Sequence, residues 1–429
     1  MKKKISIVAV LLSLVFQMTA QEGPGRLTLS LPEAEEFAVS HNRTLMNASI
    51  DVQKAHAAKW QAIAGMLPSV AASVDYSNML KYKMNLGQMQ IAMPASATLG
   101  ITSSIAFNGS LIVATQIAKI SERMADINLQ KSERDIRDQV KQLYCSALTV
   151  EETVKLLEEN LASMKRLYEI TKKSVEVGVS EQTDADQIAV QVATMDNAVS
   201  TTQRSLELVY NSLRMTLCVE ENTELELTQH LDDLLNVGYI NELLGEEFVL
   251  ERNYDYQLLV KSTEITKKQI AIAGLTYSPS LRVFHQYSSK KYFSDEMTMN
   301  MTPPNMIGAT LSVPVFNFGK GASAYKDAKL AYTKQLNTVA DTELALKLQH
   351  SQLVFNLKSN LEKLETQEES VELAKRVFDN ISKKYENGVA SSLEVTNAGT
   401  NLINAESNYV QAVLDVIDAQ ISLEGLLNK

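Results

Sequence analysis

Two hydrophobic rhythms divide the chain. The first has a period of seven. Leu357, Leu364, Val371, Phe378 and Tyr385 form one seam, and Leu346, Leu353, Ala374 and Ile381 form the complementary one, with Asn360 and Gln367 as polar interruptions. Ala147, Val154, Leu161, Tyr168 and Val175 repeat the spacing earlier in the chain. A 3.5-residue repeat predicts long helices packed as coiled coils, here over about 110–177 and 321–386. The second rhythm has a period of two. Val70, Ala72, Val74 and Tyr76 alternate with small or polar residues, as do Leu99, Ile101, Ile105 and Phe107; Leu281, Val283 and Tyr287; and Ile307, Ala309, Leu311, Val313 and Val315. This alternation predicts four strands with one apolar face, over about 69–78, 98–107, 280–288 and 307–316. Each is close to the length of a tilted membrane strand.

Glycine and proline mark where these elements stop. No proline occurs between Pro94 and Pro279 or after Pro314, and no glycine between Gly109 and Gly178 or between Gly321 and Gly388. Each glycine-free interval is long enough for an uninterrupted helix of roughly 100 Å. Gly178 and Gly388 suit the left-handed cap that ends a helix. Return helices are predicted from about Glu181 and from Ser392, the latter capped by Ser391 with Glu394 completing a capping box. A first helix is predicted from Ser30, with Glu33 in its own capping box, to about Met66. Another is predicted over about Gly245 to Gly274.

The two halves are copies of one unit. The segment from Tyr168 to Gly178-Val179 matches that from Phe378 to Gly388-Val389 at an offset of 210, which also pairs Gly109 with Gly319. Shifted by one, it pairs Asn42 with Asn253 and Pro68-Ser69-Val70 with Pro279-Ser280-Leu281. Such self-similarity signals a tandem duplication. Lys2–Lys4, the apolar run Ile5 to Phe16 and Thr19-Ala20 read as an export signal. The organisation is therefore a signal over 1–20, a first repeat over 21–218, an acidic and less regular linker over 219–244, and a second repeat over 245–429.

Composition narrows the function. No later stretch is apolar enough for a membrane-spanning helix, so the exported chain is either soluble or a membrane β-barrel. A net charge of -10 argues against a nucleic-acid surface. Cys145 and Cys218 are the only cysteines; they sit at similar distances from the Gly178 turn, and a disulfide and two free thiols both remain open. The five histidines show no metal spacing, and no P-loop, Gly-x-Ser-x-Gly or His-Glu-x-x-His occurs. Catalysis is not supported and no cofactor is expected. Four strands cannot enclose a lumen. In lipid, an open sheet edge costs several kcal/mol per unpaired backbone group. Strands placed there must be pooled between chains.

The stretch Leu31-x-x-Ala34-x-x-x-Ala38-x-x-x-Asn42-x-x-Leu45-x-x-Ala48-x-x-x-Val52, ending in Leu67-Pro68-Ser69-Val70, resembles the N-terminal signature of the TolC-type outer membrane efflux proteins. Leu311-Ser-Val-Pro314-Val-Phe-Asn-Phe-Gly319 and the Tyr385-x-x-Gly388 turn are similar to that family too. The resemblance spans nearly the whole exported chain, duplication included. It implies a mainly helical protein with a membrane β-barrel contribution: a homotrimer whose twelve-stranded barrel continues into an α-helical coiled-coil barrel. It implies an outer-membrane exit duct reaching into the periplasm, working with a periplasmic adaptor and an inner-membrane pump. The alternatives are an outlet for type I protein secretion and a periplasmic coiled-coil scaffold with no pore.

By the same resemblance, the constriction falls on Glu394 and Asn397, and a tip bond network on Asp184 and Tyr385. The family's basic partner falls on Ala390, so that ion pair is missing. A ring of Glu394 side chains favours cations; the plainer reading is that Glu394 only completes its cap. Lys383 and Lys384 read as solvated lysines. The turns at Gly178, Val179, Gly388 and Val389 are the implied adaptor contacts. Met79, Met84, Met89 and Met93 crowd one loop between strands, and Met297, Met299, Met301 and Met306 the other. Thioethers suit Cu(I), but flexible packing over the mouth is the favoured reading.

Overall fold

The computed structural model describes residues 25–80, 82–87, 89–293 and 303–429. The segment 1–20, read as an export signal, lies outside the described residues, as do Met297, Met299 and Met301. The order is β1 (Arg26–Leu29), α1 (Leu31–His41), α2 (Arg43–Ala64), β2 (Ser69–Ser77), β3 (Lys83–Leu86), β4 (Met89–Ala92), β5 (Ser96–Phe107), α3 (Gly109–Glu176) and α4 (Gln182–Leu217). Then come β6 (Glu224–Leu227), α5 (Leu231–Leu234), α6 (Val237–Leu244), α7 (Tyr254–Gly274), β7 (Ser280–Tyr292), β8 (Asn305–Ser312), α8 (Lys320–Glu386) and α9 (Ser392–Leu427). Among the described residues, no helix is long and apolar enough to cross a membrane.

The chain divides into two compact units, and each takes parts of both sequence repeats. One comprises residues up to Met46, Lys131–Val249 and Leu346–Lys429; the other comprises Asn47–Gln130 and Leu250–Ala345.

The second of these units holds an antiparallel sheet in the order β2-β5-β7-β8. Its central joint, β5 against β7, unites the two repeats, with Ile101 opposite Tyr287 and Phe107 opposite Leu281. The register sorts the side chains into two faces. Val70, Ala72, Val74 and Tyr76 share one with Leu99, Ile101, Ile105, Phe107, Leu281, Val283, Tyr287, Ile307, Ala309 and Leu311. Ser73, Asp75, Thr98, Thr102, Arg282, Gln286, Lys290 and Thr310 lie on the other. The last strand ends at Ser312 rather than near 316, so Val313 and Val315 lie beyond it. Pro314 accounts for this: it has no N–H to pair, and its ring restricts the residue before it. The first interstrand loop carries a hairpin, β3 with β4, in which Met84 faces Ile91 and Leu86 faces Met89. Gly87 supplies the positive φ, 65°, that its turn requires.

The other unit is a helical body. Its larger core gathers Tyr144, Leu213, Ile240, Leu243, Leu357 and Leu423. Its smaller core joins Leu157, Leu161 and Met164 of α3 and Met195 of α4 to Phe378 of α8 and Val395 of α9. The heptad positions Leu357, Leu364 and Phe378 are buried, as a coiled-coil seam requires. Lys141 ties α3 to the buried Glu424 of α9 across 2.6 Å.

Three features depart from the sequence reading. The first helix is not continuous to Met66. It breaks at Asn42, whose backbone is extended (φ -68°, ψ 125°). The Asn42 amide donates to the Thr216 carbonyl at 2.9 Å, and its side-chain oxygen accepts from the Thr44 N–H at 2.8 Å. A buried amide with both ends satisfied outweighs one helical turn. Its repeat partner Asn253 has nearly the same backbone (φ -67°, ψ 126°) and caps α7, accepting from the Tyr256 N–H at 3.1 Å. That cap is why α7 starts at Tyr254, not near Gly245. Finally, the linker over 219–244 is more ordered than its composition predicts: β6 pairs in parallel with β1, Leu29 opposite Leu227.

Candidate functional site

The site is built where each long helix reverses. At both turns the backbone solution is the same. The Val179 N–H donates to the Ser174 carbonyl at 2.8 Å and the Gly178 N–H to the Val175 carbonyl at 3.0 Å. At the second turn Val389 donates to Lys384 at 2.8 Å and Gly388 to Tyr385 at 2.9 Å. This is the Schellman pattern, and it needs a left-handed residue: Gly178 has φ 77° and Gly388 φ 72°. Val179 and Val389 are 78% and 75% exposed, apolar tips with no cover in the single chain.

Capping boxes then start the return helices. The Glu394 carboxylate accepts from the Ser391 N–H at 2.7 Å and from its hydroxyl at 3.0 Å. Those two bonds hold the Glu394 carboxyl below the usual carboxylate range, with a further pull from Lys384. In the first turn Glu181 is the cap and Asp184 its reciprocal partner, accepting from the Glu181 N–H at 3.2 Å. Asp184 is thus the repeat equivalent of Glu394. Both Glu394 and Asn397 are exposed on α9, three residues apart.

The turns are joined by contacts absent from the sequence reading. The Ser392 hydroxyl lies 2.6 Å from Asp184 Oδ1 and 3.1 Å from Gln187 Oε1. The Tyr385 hydroxyl meets Thr171 Oγ1 at 2.5 Å. Burial pushes the Tyr385 phenol up; the Thr171 bond opposes this and the Asp184 charge adds to it. A cleft of about 680 Å³ opens between the turns, bordered by Ile170, Val179, Asp184, Tyr385, Ala390 and Ser392. Ala390 leaves no cation there, and neutral hydroxyls bridge the turns instead. Lys383 and Lys384 are exposed. A second cleft, about 280 Å³, lies between α3 and α8 beside Arg166 and Glu386, which are 3.3 Å apart.

Met79 and Met84 are exposed, Met93 is half-buried, and Met89 opens β4. Among the described residues no group of three or more His, Cys, Asp or Glu could hold a metal ion. Cys145 and Cys218 are free thiols; Cys145 is buried, which pushes its thiol up to about 12.

The model of the family described as "Outer membrane efflux protein" matches residues 36–217 and 249–429. The chain belongs to the outer membrane efflux protein family. The two matched segments stop on either side of the linker, at the seam of the duplication. The chain is 21% identical over 407 residues to the toluene efflux pump outer membrane protein TtgC of Pseudomonas putida, covering 92% of this chain and 82% of that one. It is 21% identical over 405 residues to the outer membrane protein TolC of Vibrio cholerae, covering 92% and 89%. The crystal structure of the outer membrane protein VceC of Vibrio cholerae has the same fold, with a TM-score of 0.77 at 17% identity over 92% of this chain and 95% of that one. This efflux protein is thus an outer-membrane channel of the TolC type, lying in the outer membrane and extending into the periplasm. Its family and structural neighbours are channels rather than enzymes. Such channels are trimers that work with adaptors and inner-membrane pumps.

Proposed function

We propose that three copies of this chain close one barrel, β8 of each pairing with β2 of the next, and that the resulting duct passes small molecules driven by an inner-membrane pump through a periplasmic adaptor. The observation that carries this is the two-faced sheet with both edge strands unpaired in the single chain. Val70, Val74, Ile307 and Leu311 on those edges are 72%, 74%, 80% and 65% exposed. Lipid tolerates the apolar side chains but not the unpaired backbone, so closure between copies satisfies both.

The tip is the gate in this reading. Glu394 and Asn397 line the narrowest ring, while Asp184–Ser392 and Thr171–Tyr385 hold the turns together. Val179 and Val389 are the adaptor contacts. Incorporation of the purified protein into a planar bilayer tests the reading. Discrete, cation-selective openings are expected, with selectivity reduced in Glu394→Gln. A protein that stays monomeric and water-soluble without detergent overturns it. Cross-linking in cells distinguishes an efflux pump from a protein-secretion partner.

A further inference from the structure

Under the apolar face of the sheet, where strands give way to helices, lies a cleft of about 510 Å³. Its walls include Phe107, Leu281 and Leu311 from β5, β7 and β8, and Met66, Leu111 and Ile112 from the flanking segments. That volume falls within the roughly 300–1,000 Å³ of small-molecule clefts. We propose that this cleft holds an acyl tail of a phospholipid from the periplasm-facing leaflet. The inference rests on the duct reading, which sets the sheet in lipid with the helices on the periplasmic side.

Three observations select this occupant. First, the cleft is continuous with the apolar sheet face, since Phe107, Leu281 and Leu311 belong to both. Second, β5 and β7 already have both strand neighbours, so pairing of copies through β2 and β8 leaves their face uncovered. Third, no charged side chain lines the cleft, and the Asn108 side-chain oxygen already accepts from the Ser110 N–H at 2.9 Å. Such walls suit hydrocarbon and offer nothing to a headgroup. The level is also that of a membrane boundary. Phe316 and Phe318, 74% and 92% exposed, meet edge-on at 4.6 Å just past β8, as aromatic side chains do at the rim of a lipid belt.

The test uses the full-length channel in vesicles containing a phosphatidylethanolamine with a photoactivatable acyl chain. Irradiation is expected to label Met66, Leu111 or Ile112. Ile112→Trp, which fills the cleft from an exposed position, is expected to lose that labelling while conductance is unchanged. A conducting wild type labelled only on the strands overturns the inference and leaves the duct intact. So does a cross-link from Ile112→Cys to a neighbouring copy, which would show protein filling the cleft. A protein that neither inserts nor conducts overturns the duct reading, and this inference with it.

Discussion

The turn at Gly178 and the turn at Gly388 are two copies of one backbone. Their Schellman hydrogen bonds correspond atom for atom at an offset of 210. Many of their side chains do not correspond. Thr171 stands where the second copy has Ile381, Val175 where it has Tyr385, and Gln182 where it has Ser392. Each of the hydrogen-bonded contacts described between the turns includes a residue at one of these unequal positions. Duplication kept the geometry that reverses a helix, while the side chains that link the two turns are not repeated between them.

The hardest test of that equivalence is the glycines. A Cβ at either position meets nothing within 4 Å, so substitution costs only the backbone term. Gly178→Ala and Gly388→Ala are each expected to destabilise the helical body by about 1–2 kcal/mol in denaturant unfolding. Unequal costs break the comparison. The divergent positions come next. Tyr385→Phe and Ser392→Ala are each expected to cost about 1 kcal/mol and to raise single-channel conductance by loosening the tip. The double variant of Tyr385→Phe with Thr171→Val should cost less than the sum of the two, because both remove one bond. Full additivity would mean the Tyr385–Thr171 contact contributes nothing.

The smallest effect is that of Glu394. Its carboxyl is held below its unfolded value, so its cap stabilises above that value and is lost as pH falls through the lower, folded one. Glu394→Gln should therefore remove a component of acid sensitivity confined to pH below 4.5. If the sensitivity persists in the variant, it arises elsewhere in the protein.

Much of this was legible in the chain itself. Period-two alternation located the four strands of the larger sheet, because a sheet with one apolar face forces it. Heptads and glycine gaps located both long helices and both turns. The break at Asn42 was hidden, because a helix-compatible pattern runs through it and the competing bond is to Thr216, far along the chain. The pairing of β1 with β6 was hidden because four-residue strands carry too little periodicity. At the tip, resemblance supplied Asp184 and Tyr385 but not Ser392, Gln187 or Thr171. The sequence does not single them out, because the two repeats differ at most positions around the turns.

The β5–β7 joint carries one more consequence. It is antiparallel and joins the trailing strand of one repeat to the leading strand of the next. The joint proposed between β8 and the neighbouring β2 has that same form. A half-length polypeptide would own one edge of each sort, and six of them could build the ring that three whole chains build. The covalent link between halves therefore fixes how many molecules complete the circle, and leaves the manner of their joining unaltered.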